Sequence, residues 1–272
     1  MRVGFIGLGS QGGPMARRIV EAGFETTLWA RRPASLEPYA DTAATYAESP
    51  AKLAAVSDLV CLCVVGDDDV RQIVAGENGL LEGLREGAVI AIHSTIHPDT
   101  CRELAEIAGT RGVSVVDAPV SGGGMGAAAG TLLVMVGGDA ETVEKCRPVF
   151  STYGNPVVHL GEVGAGQVTK LLNNLLFTAN LSAAASTLEL GAALGIDSAR
   201  LGEVVANGTA NSFALGRVVS AGGTLDRIAQ HAGELLRKDV RHIAEIADTA
   251  GVTPGAALTA ADATLEMMEY PR

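Results

Sequence analysis

Val3-Gly-Phe-Ile-Gly-Leu-Gly-Ser-Gln-Gly12 decides the reading of this chain. An apolar, strand-like run at 3–8 overlaps Gly7-Leu-Gly-Ser-Gln-Gly12, and a helical pattern follows at 14–22. In that strand–turn–helix setting each glycine has a task. The first permits the tight turn, the second lets a diphosphate approach the backbone, and the third lets helix and strand pack closely. The helix start then offers free N–H groups and a partial positive charge. Gly7, Leu8, Gly9, Ser10, Gln11 and Gly12 are therefore assigned to a dinucleotide. The alternative is a Gly-rich turn without a ligand.

Outward from this stretch, strand-like runs recur at 26–29, 59–65, 89–92, 113–117, 132–136 and 157–160. Helical patterns at 68–75, 98–109 and 140–150 lie between them, with Pro98 and Asp139 as starting signals. Such alternation predicts an α/β unit with a largely parallel, doubly wound sheet of the Rossmann type. After Gly161-Glu-Val-Gly-Ala-Gly166 only helical patterns remain, at about 167–195, 198–207, 212–221, 225–249 and 255–268. The expected domains are 1–162, binding the cofactor, and 163–272, all α-helical.

The net charge of −11 over 272 residues argues against nucleic acid as a partner, which would need a basic face. Cys61, Cys63, Cys101 and Cys146 form no Cys-x-x-Cys pair and no zinc-type spacing with His, so no metal is expected. Met1-Arg2 leads straight into the first strand, which leaves no room for a signal peptide. The longest apolar helix carries Lys170, Asn173, Asn174, Asn180 and Glu189, too polar for a membrane span. A soluble, cytoplasmic protein is the expectation.

Lys170 stands out within that helix. Helical spacing puts it on one face with Gln167 and Asn174, beside Leu171, Leu172, Leu175 and Leu176. An ammonium in greasy surroundings suits proton transfer; the plainer reading is a lysine whose stem packs while its head reaches water. At the end of the second strand, Trp29-Ala-Arg-Arg-Pro33 lacks the carboxylate that an NAD-type site uses on the ribose. Arg31 and Arg32 suit a 2′-phosphate instead, unless they are solvated loop charges. NADP(H) is thus the preferred cofactor, with NAD(H) as the alternative. Ligands of open α/β sheets bind beyond the carboxyl ends of the strands. Val65 and Thr95 lie at such ends and are assigned to the cofactor, although Thr95 also suits a helix cap. Ser121, Gly122 and Gly123 end another strand, and form either a nest for a small carboxylate or a flexible loop. Lys238-Asp239, inside a late helix, reads by itself as a solvated face.

Taken together, these segments resemble the β-hydroxyacid dehydrogenases, the group of 3-hydroxyisobutyrate dehydrogenase and tartronate semialdehyde reductase. Four stretches carry the resemblance, in family order: Gly7–Ala16, Asp117–Gly123 continuing through Gly130–Gly138, Gly164–Asn174, and Lys238-Asp239-Val240. The resemblance implies Lys170 as the catalytic acid and base, and Asn174 as a substrate ligand. It implies Ser121, Gly122 and Gly123 at the substrate carboxylate. It places Thr95 and Lys238 near the nicotinamide, and has the long helix join the two domains. Subunits would pair through the helical domain as a homodimer or homotetramer. The implied activity interconverts a small 3-hydroxy acid and its semialdehyde. An imine reductase shares the architecture but usually lacks this lysine; a non-catalytic NADP-bound scaffold would not need it. Gln11, Arg18 and His231 depart from the residues usual in the family, and the C-terminal end is somewhat short. His231 stands where a Phe is common, which assigns it to substrate choice or, if the helix shifts, to the surface.

Overall fold

The computed structural model describes residues 1–272. Six strands form one parallel sheet: β1 (Val3–Ile6), β2 (Thr26–Trp29), β3 (Thr45–Tyr46), β4 (Leu59–Leu62), β5 (Val89–Ile92) and β6 (Ser114–Asp117). Their order is β3-β2-β1-β4-β5-β6, so the direction of winding reverses between β1 and β4. Such a reversal opens a crevice at the carboxyl edge, where ligands of doubly wound sheets bind. The register sharpens this. Trp29, Ile6, Leu62, Ile92 and Asp117 are successive partners across the sheet. The strands therefore end in one row, and each segment leaving them starts from the same edge.

The strands are buried on both faces. Val3, Phe5, Leu59, Cys61, Val89 and Ala91 join one core with Met15, Ile19 and Phe150. Ile6, Val60, Leu62, Ile90 and Ile92 join the other with Leu53, Val70, Leu80 and Leu104. A period of two on a sheet covered from both sides produces unbroken apolar runs, which is why these strands are legible as such. Helices α1 (Gly12–Glu21), α2 (Pro50–Ala55), α3 (Asp67–Ala75), α4 (Leu80–Gly83) and α5 (Pro98–Gly109) cover the sheet in chain order. The first run stops at Ile6 rather than residue 8, because Gly7 turns the chain at φ 100°.

Past β6 the chain forms a second, three-stranded sheet of β7 (Val120–Ser121), β8 (Leu132–Val136) and β9 (Gly154–His159), linked to the first by an isolated antiparallel bridge between Asp117 and Gly137. β7 is antiparallel to β8, and β9 is parallel to β8. Between β7 and β8, Gly123–Ala129 forms helix α6. Glycine weakens a helix, but here it permits close approach: a Cβ on Gly124 would lie 2.4 Å from Ser10 O. Helix α7 (Ala140–Phe150) precedes β9, and its N-cap Asp139 accepts from the Thr142 N–H as expected.

The second half is helical: α8 (Ala165–Ala193), α9 (Ser198–Ala206), α10 (Phe213–Ser220), α11 (Asp226–Thr249) and α12 (Gly255–Met267). Leu171, Leu175, Leu181, Leu188, Leu215, Val240 and Leu265 belong to its core. The hydroxyl of Thr264 inserts into α8, donating to Thr178 O (2.6 Å) and accepting from the Ser182 N–H (3.1 Å). The chain divides into compact units at 1–170 and 171–272. That division falls inside α8, not in the turn before it, because the first turns of α8 are bonded to the sheet edge. No helix is long and apolar enough to cross a membrane. Cys61, Cys101 and Cys146 are buried free thiols, and Cys63 is a half-buried one.

Candidate active site

The turn after β1 assigns a different constraint to each of its glycines. Gly7 has φ 100°, and a Cβ there would lie 2.1 Å from Cys63 O. At Gly12 a Cβ would lie 2.0 Å from Gly7 O, so helix α1 meets the turn closely. Gly9 has nothing within 4 Å of its Cβ position. Only that glycine faces open space, which is what a group approaching the backbone requires. Leu8 packs against the core below, while Ser10 is exposed and Gln11 half-exposed. No side chain caps the N-terminus of α1, and its first turn holds no acid. Its N–H groups and partial positive charge are suited to a diphosphate.

Arg31 and Arg32 leave the end of β2 and are both exposed. Arg31 Nη1 lies 3.4 Å from Asp69 Oδ1, in the first turn of α3. An exposed pair of this kind contributes little, so it holds the guanidinium only loosely. No carboxylate occurs between Trp29 and Leu36. Val65, beyond β4, has 67% of its surface exposed, unusual for a valine beside a buried strand. Arg18, a departure from the family, is structural here: its Nε donates to Thr152 O at 2.9 Å.

Buried polar groups fix the segments that leave β4, β5 and β6. His93 Nδ1–H donates to Ala118 O (2.7 Å), and Nε2 accepts from the Tyr153 hydroxyl (3.1 Å). A carbonyl can only accept, which sets the tautomer. Burial lowers the His93 pKa to about 4, so the ring stays neutral around pH 7. Ser94 Oγ accepts from the Val64 N–H (2.8 Å). Thr95 follows, half-buried, at the carboxyl edge. Ser121 pairs with Leu133 in β7, and Gly122 and Gly123 have φ 131° and 65° before α6 starts. The Ser121–Gly123 segment is thus a defined strand-to-helix turn rather than a flexible loop.

Asp117, fully buried at the end of β6, holds the start of α8. Its Oδ1 accepts from the Gly164 N–H and its Oδ2 from the Gln167 N–H, both at 2.7 Å. Burial raises its pKa, while these bonds and the charge of Arg102 oppose the rise. Gln167 is fully buried as well. Its Nε2 donates to Ser94 O (2.8 Å), and its Oε1 accepts from the Ile96 N–H (3.2 Å). Lys170 lies one turn further along and is 8% exposed.

In the helical unit, Asn174 Nδ2 donates to Asp239 Oδ2 at 2.6 Å. The Asp239 Oδ1 pairs with Lys238 Nζ at 3.1 Å, and the two side chains are 6% and 17% exposed. Lys238-Asp239 is therefore not a solvated face. Asp239 links Asn174 to Lys238, a role that no local pattern signals, since the partners are far apart in the sequence. His231 is exposed on α11, with its Nδ1–H donating to Arg227 O at 2.7 Å. Two residues later the ring of Tyr270 lies against Gly233, where a Cβ would be 2.5 Å from it.

Comparison with known proteins adds the following. Residues 2–161 match the NAD binding domain of 6-phosphogluconate dehydrogenase. Residues 164–269 match the NAD-binding domain of NADP-dependent 3-hydroxyisobutyrate dehydrogenase. An NAD-dependent L-serine dehydrogenase of Pseudomonas aeruginosa is 33% identical over 261 residues, covering 93% of this chain and 88% of that protein. A 3-hydroxyisobutyrate dehydrogenase of the same organism is 36% identical over 213 residues, 78% of this chain and 72% of its own length. The structure of 3-hydroxyisobutyrate dehydrogenase from Mycobacterium tuberculosis with L-serine superposes at a TM-score of 0.85 and 27% identity, covering 99% and 94% of the two chains.

Proposed function

Because this chain belongs to the β-hydroxyacid dehydrogenase family and is an NAD(P)-dependent hydroxyacid dehydrogenase, we propose that it interconverts a small 3-hydroxy acid and its semialdehyde with NADP(H), using Lys170 as general acid and base. The observation that carries this reading is Lys170 itself. It is an almost fully buried cation, one turn beyond a helix start that is bonded to the carboxyl edge of the sheet. Gly7–Gly12 would hold the diphosphate, Arg31 and Arg32 the 2′-phosphate, and Val65, Thr95 and Lys238 the rest of the cofactor. A bound nicotinamide supplies the hydride in reduction and takes it in oxidation. Lys170 Nζ gives its proton to the developing alkoxide in reduction, and accepts the hydroxyl proton in oxidation. Ser121 and the peptide N–H groups of Gly122 and Gly123 orient the carboxylate. The Asn174 amide, held by Asp239 on its Nδ2 and by the Asn173 Nδ2–H on its Oδ1 (3.0 Å), would offer its second N–H and remaining lone pair to the substrate.

His231 deepens the reading toward substrates with a further polar group. One relative is named for L-serine and the structure of another was determined with it, a 3-hydroxy acid that bears an amino group. With Nδ1–H engaged on Arg227 O, the His231 Nε2 remains an acceptor. The test of both ideas is NADPH oxidation with glyoxylate, succinic semialdehyde and methylmalonate semialdehyde, and NADP reduction with L-serine and 3-hydroxyisobutyrate. Turnover of none of these sinks the proposed reaction. His231→Phe is expected to shift relative kcat/KM toward the apolar substrates, and an unchanged profile removes His231 from substrate choice.

The protein is further proposed to act as a homodimer or homotetramer. Leu176, Leu190, Leu194 and Phe213 are 58%, 60%, 73% and 75% exposed on the helical unit, large apolar side chains that a subunit contact would cover. Light scattering at micromolar concentration is expected to give a multiple of 27.7 kDa. A strict monomer would reject the assembly.

A further inference from the structure

We propose that Gln167 is a positioning residue for the reaction, tying the turn of α8 that bears Lys170 to the segment that bears Thr95. The proposal rests on Lys170 as the acid and base. It is argued from four bonds made by one fully buried side chain and its neighbours.

The Gln167 amide is used on both of its atoms. Nε2 donates to Ser94 O at 2.8 Å, and Oε1 accepts from the Ile96 N–H at 3.2 Å. These two peptide groups flank Thr95, so the amide clamps the backbone on either side of that residue. Ser94 is itself held from β4, through the Val64 N–H on its Oγ at 2.8 Å. The backbone N–H of Gln167 donates to Asp117 at the end of β6. One residue therefore laces the carboxyl ends of β5 and β6, and β4 through Ser94, to the first turn of α8. Gln167 and Lys170 are three positions apart and share a helix face.

The chemistry requires an amide at this position. A carboxylate has no proton for Ser94 O, an ammonium has no acceptor for the Ile96 N–H, and an apolar chain satisfies neither. Leaving two buried peptide groups unpaired costs enough to move the loop. Proton transfer from Lys170 and the placement of Thr95 would then fall out of register. A displacement of about 1 Å in such a constellation costs on the order of 100-fold in rate. Gln167 makes no hydrogen bond to the dinucleotide turn after β1, where most of the cofactor's hold is proposed, so NADPH affinity should fall only as far as Thr95 contributes to it.

Two variants test this. Gln167→Met keeps the volume and removes both bonds. It is expected to melt cooperatively and bind NADPH almost as the parent does, with kcat lower by ~10–100-fold. Amide hydrogen exchange at Ile96, read without any cofactor, is expected to speed up. Gln167→Glu keeps the acceptor for Ile96, but donates to Ser94 O only when protonated. The ratio of its kcat to that of the parent is expected to rise as pH falls. The titratable groups near it are Asp117, bonded to its N–H, the Cys101 thiol, and Lys170 on the same helix face. The same ratio for Gln167→Met should stay flat with pH, which controls for them.

Parental kcat in Gln167→Met overturns the proposal. So does a loss that tracks the melting temperature and NADPH affinity in both variants, with a flat pH ratio in Gln167→Glu; the residue would then be structural only. If Gln167→Met fails to fold, the pH ratio of Gln167→Glu decides. The reading beneath is tested separately. Lys170→Ala with near-parental kcat removes the acid and base, whereas an inactive Lys170→Ala beside a fully active Gln167→Met removes only the clamp.

Discussion

Lys170→Ala is expected to lower kcat by ~100- to 10,000-fold, the usual contribution of a positioned general acid or base. That corresponds to about 3–5 kcal/mol of transition-state stabilisation. NADPH binding should persist, because the glycine turn and the arginines that hold the nucleotide lie on other segments, after β1 and β2. The loss should appear in kcat and kcat/KM together, since the proton moves only as the alkoxide forms. NADPH fluorescence titration and single-turnover kinetics separate binding from chemistry. Near-normal kcat with the best substrate would show that the buried ammonium serves the fold and that the acid lies elsewhere.

NADP is expected to exceed NAD in kcat/KM by ~10-fold or more, from two or three charge-assisted bonds of ~1.5–3 kcal/mol each, less the cost of desolvating the phosphate. The relatives divide on this point, one being NAD-dependent by name and one matched domain NADP-dependent. The residues at the end of β2 therefore carry the argument. Two exposed guanidiniums stand there, with no acid on their own segment. Asp69 is the ion-pair partner of Arg31, at 3.4 Å and on the surface, so exchanging it for a phosphate costs ~0–1 kcal/mol. Arg31→Ala should raise KM for NADP and leave the NAD parameters nearly unchanged. Equal kcat/KM with both cofactors in the parent enzyme would show that these arginines do not read the 2′-phosphate.

Much of the architecture was legible because its signals are local. β2, β5, β8, α5 and α7 match their expected bounds residue for residue, each framed by an apolar run or a capping residue. The elements that escaped are those too short for a period to show: β3, β7, α2 and α4. Helix α6 escaped for another reason. Its glycines lower intrinsic helicity, and the contact with Ser10 that makes them useful arises only in the folded chain.

The candidate site divides along the same line. By itself the sequence determined which residue types stand at the turn, the strand ends and the helix face, because spacing of 2 and 3.6 residues and glycine's conformational freedom act over a few residues. Only the tertiary structure decided what holds them. It gave Gln167 to Ser94 and Ile96, Asp117 to the start of α8, and Asp239 to Asn174. It also moved Lys238-Asp239 from an expected solvated face to a mostly buried pair. These bonds join residues 47 to 73 positions apart. A buried polar group takes whichever partner the packing brings within reach, and periodicity along the chain carries no record of that choice.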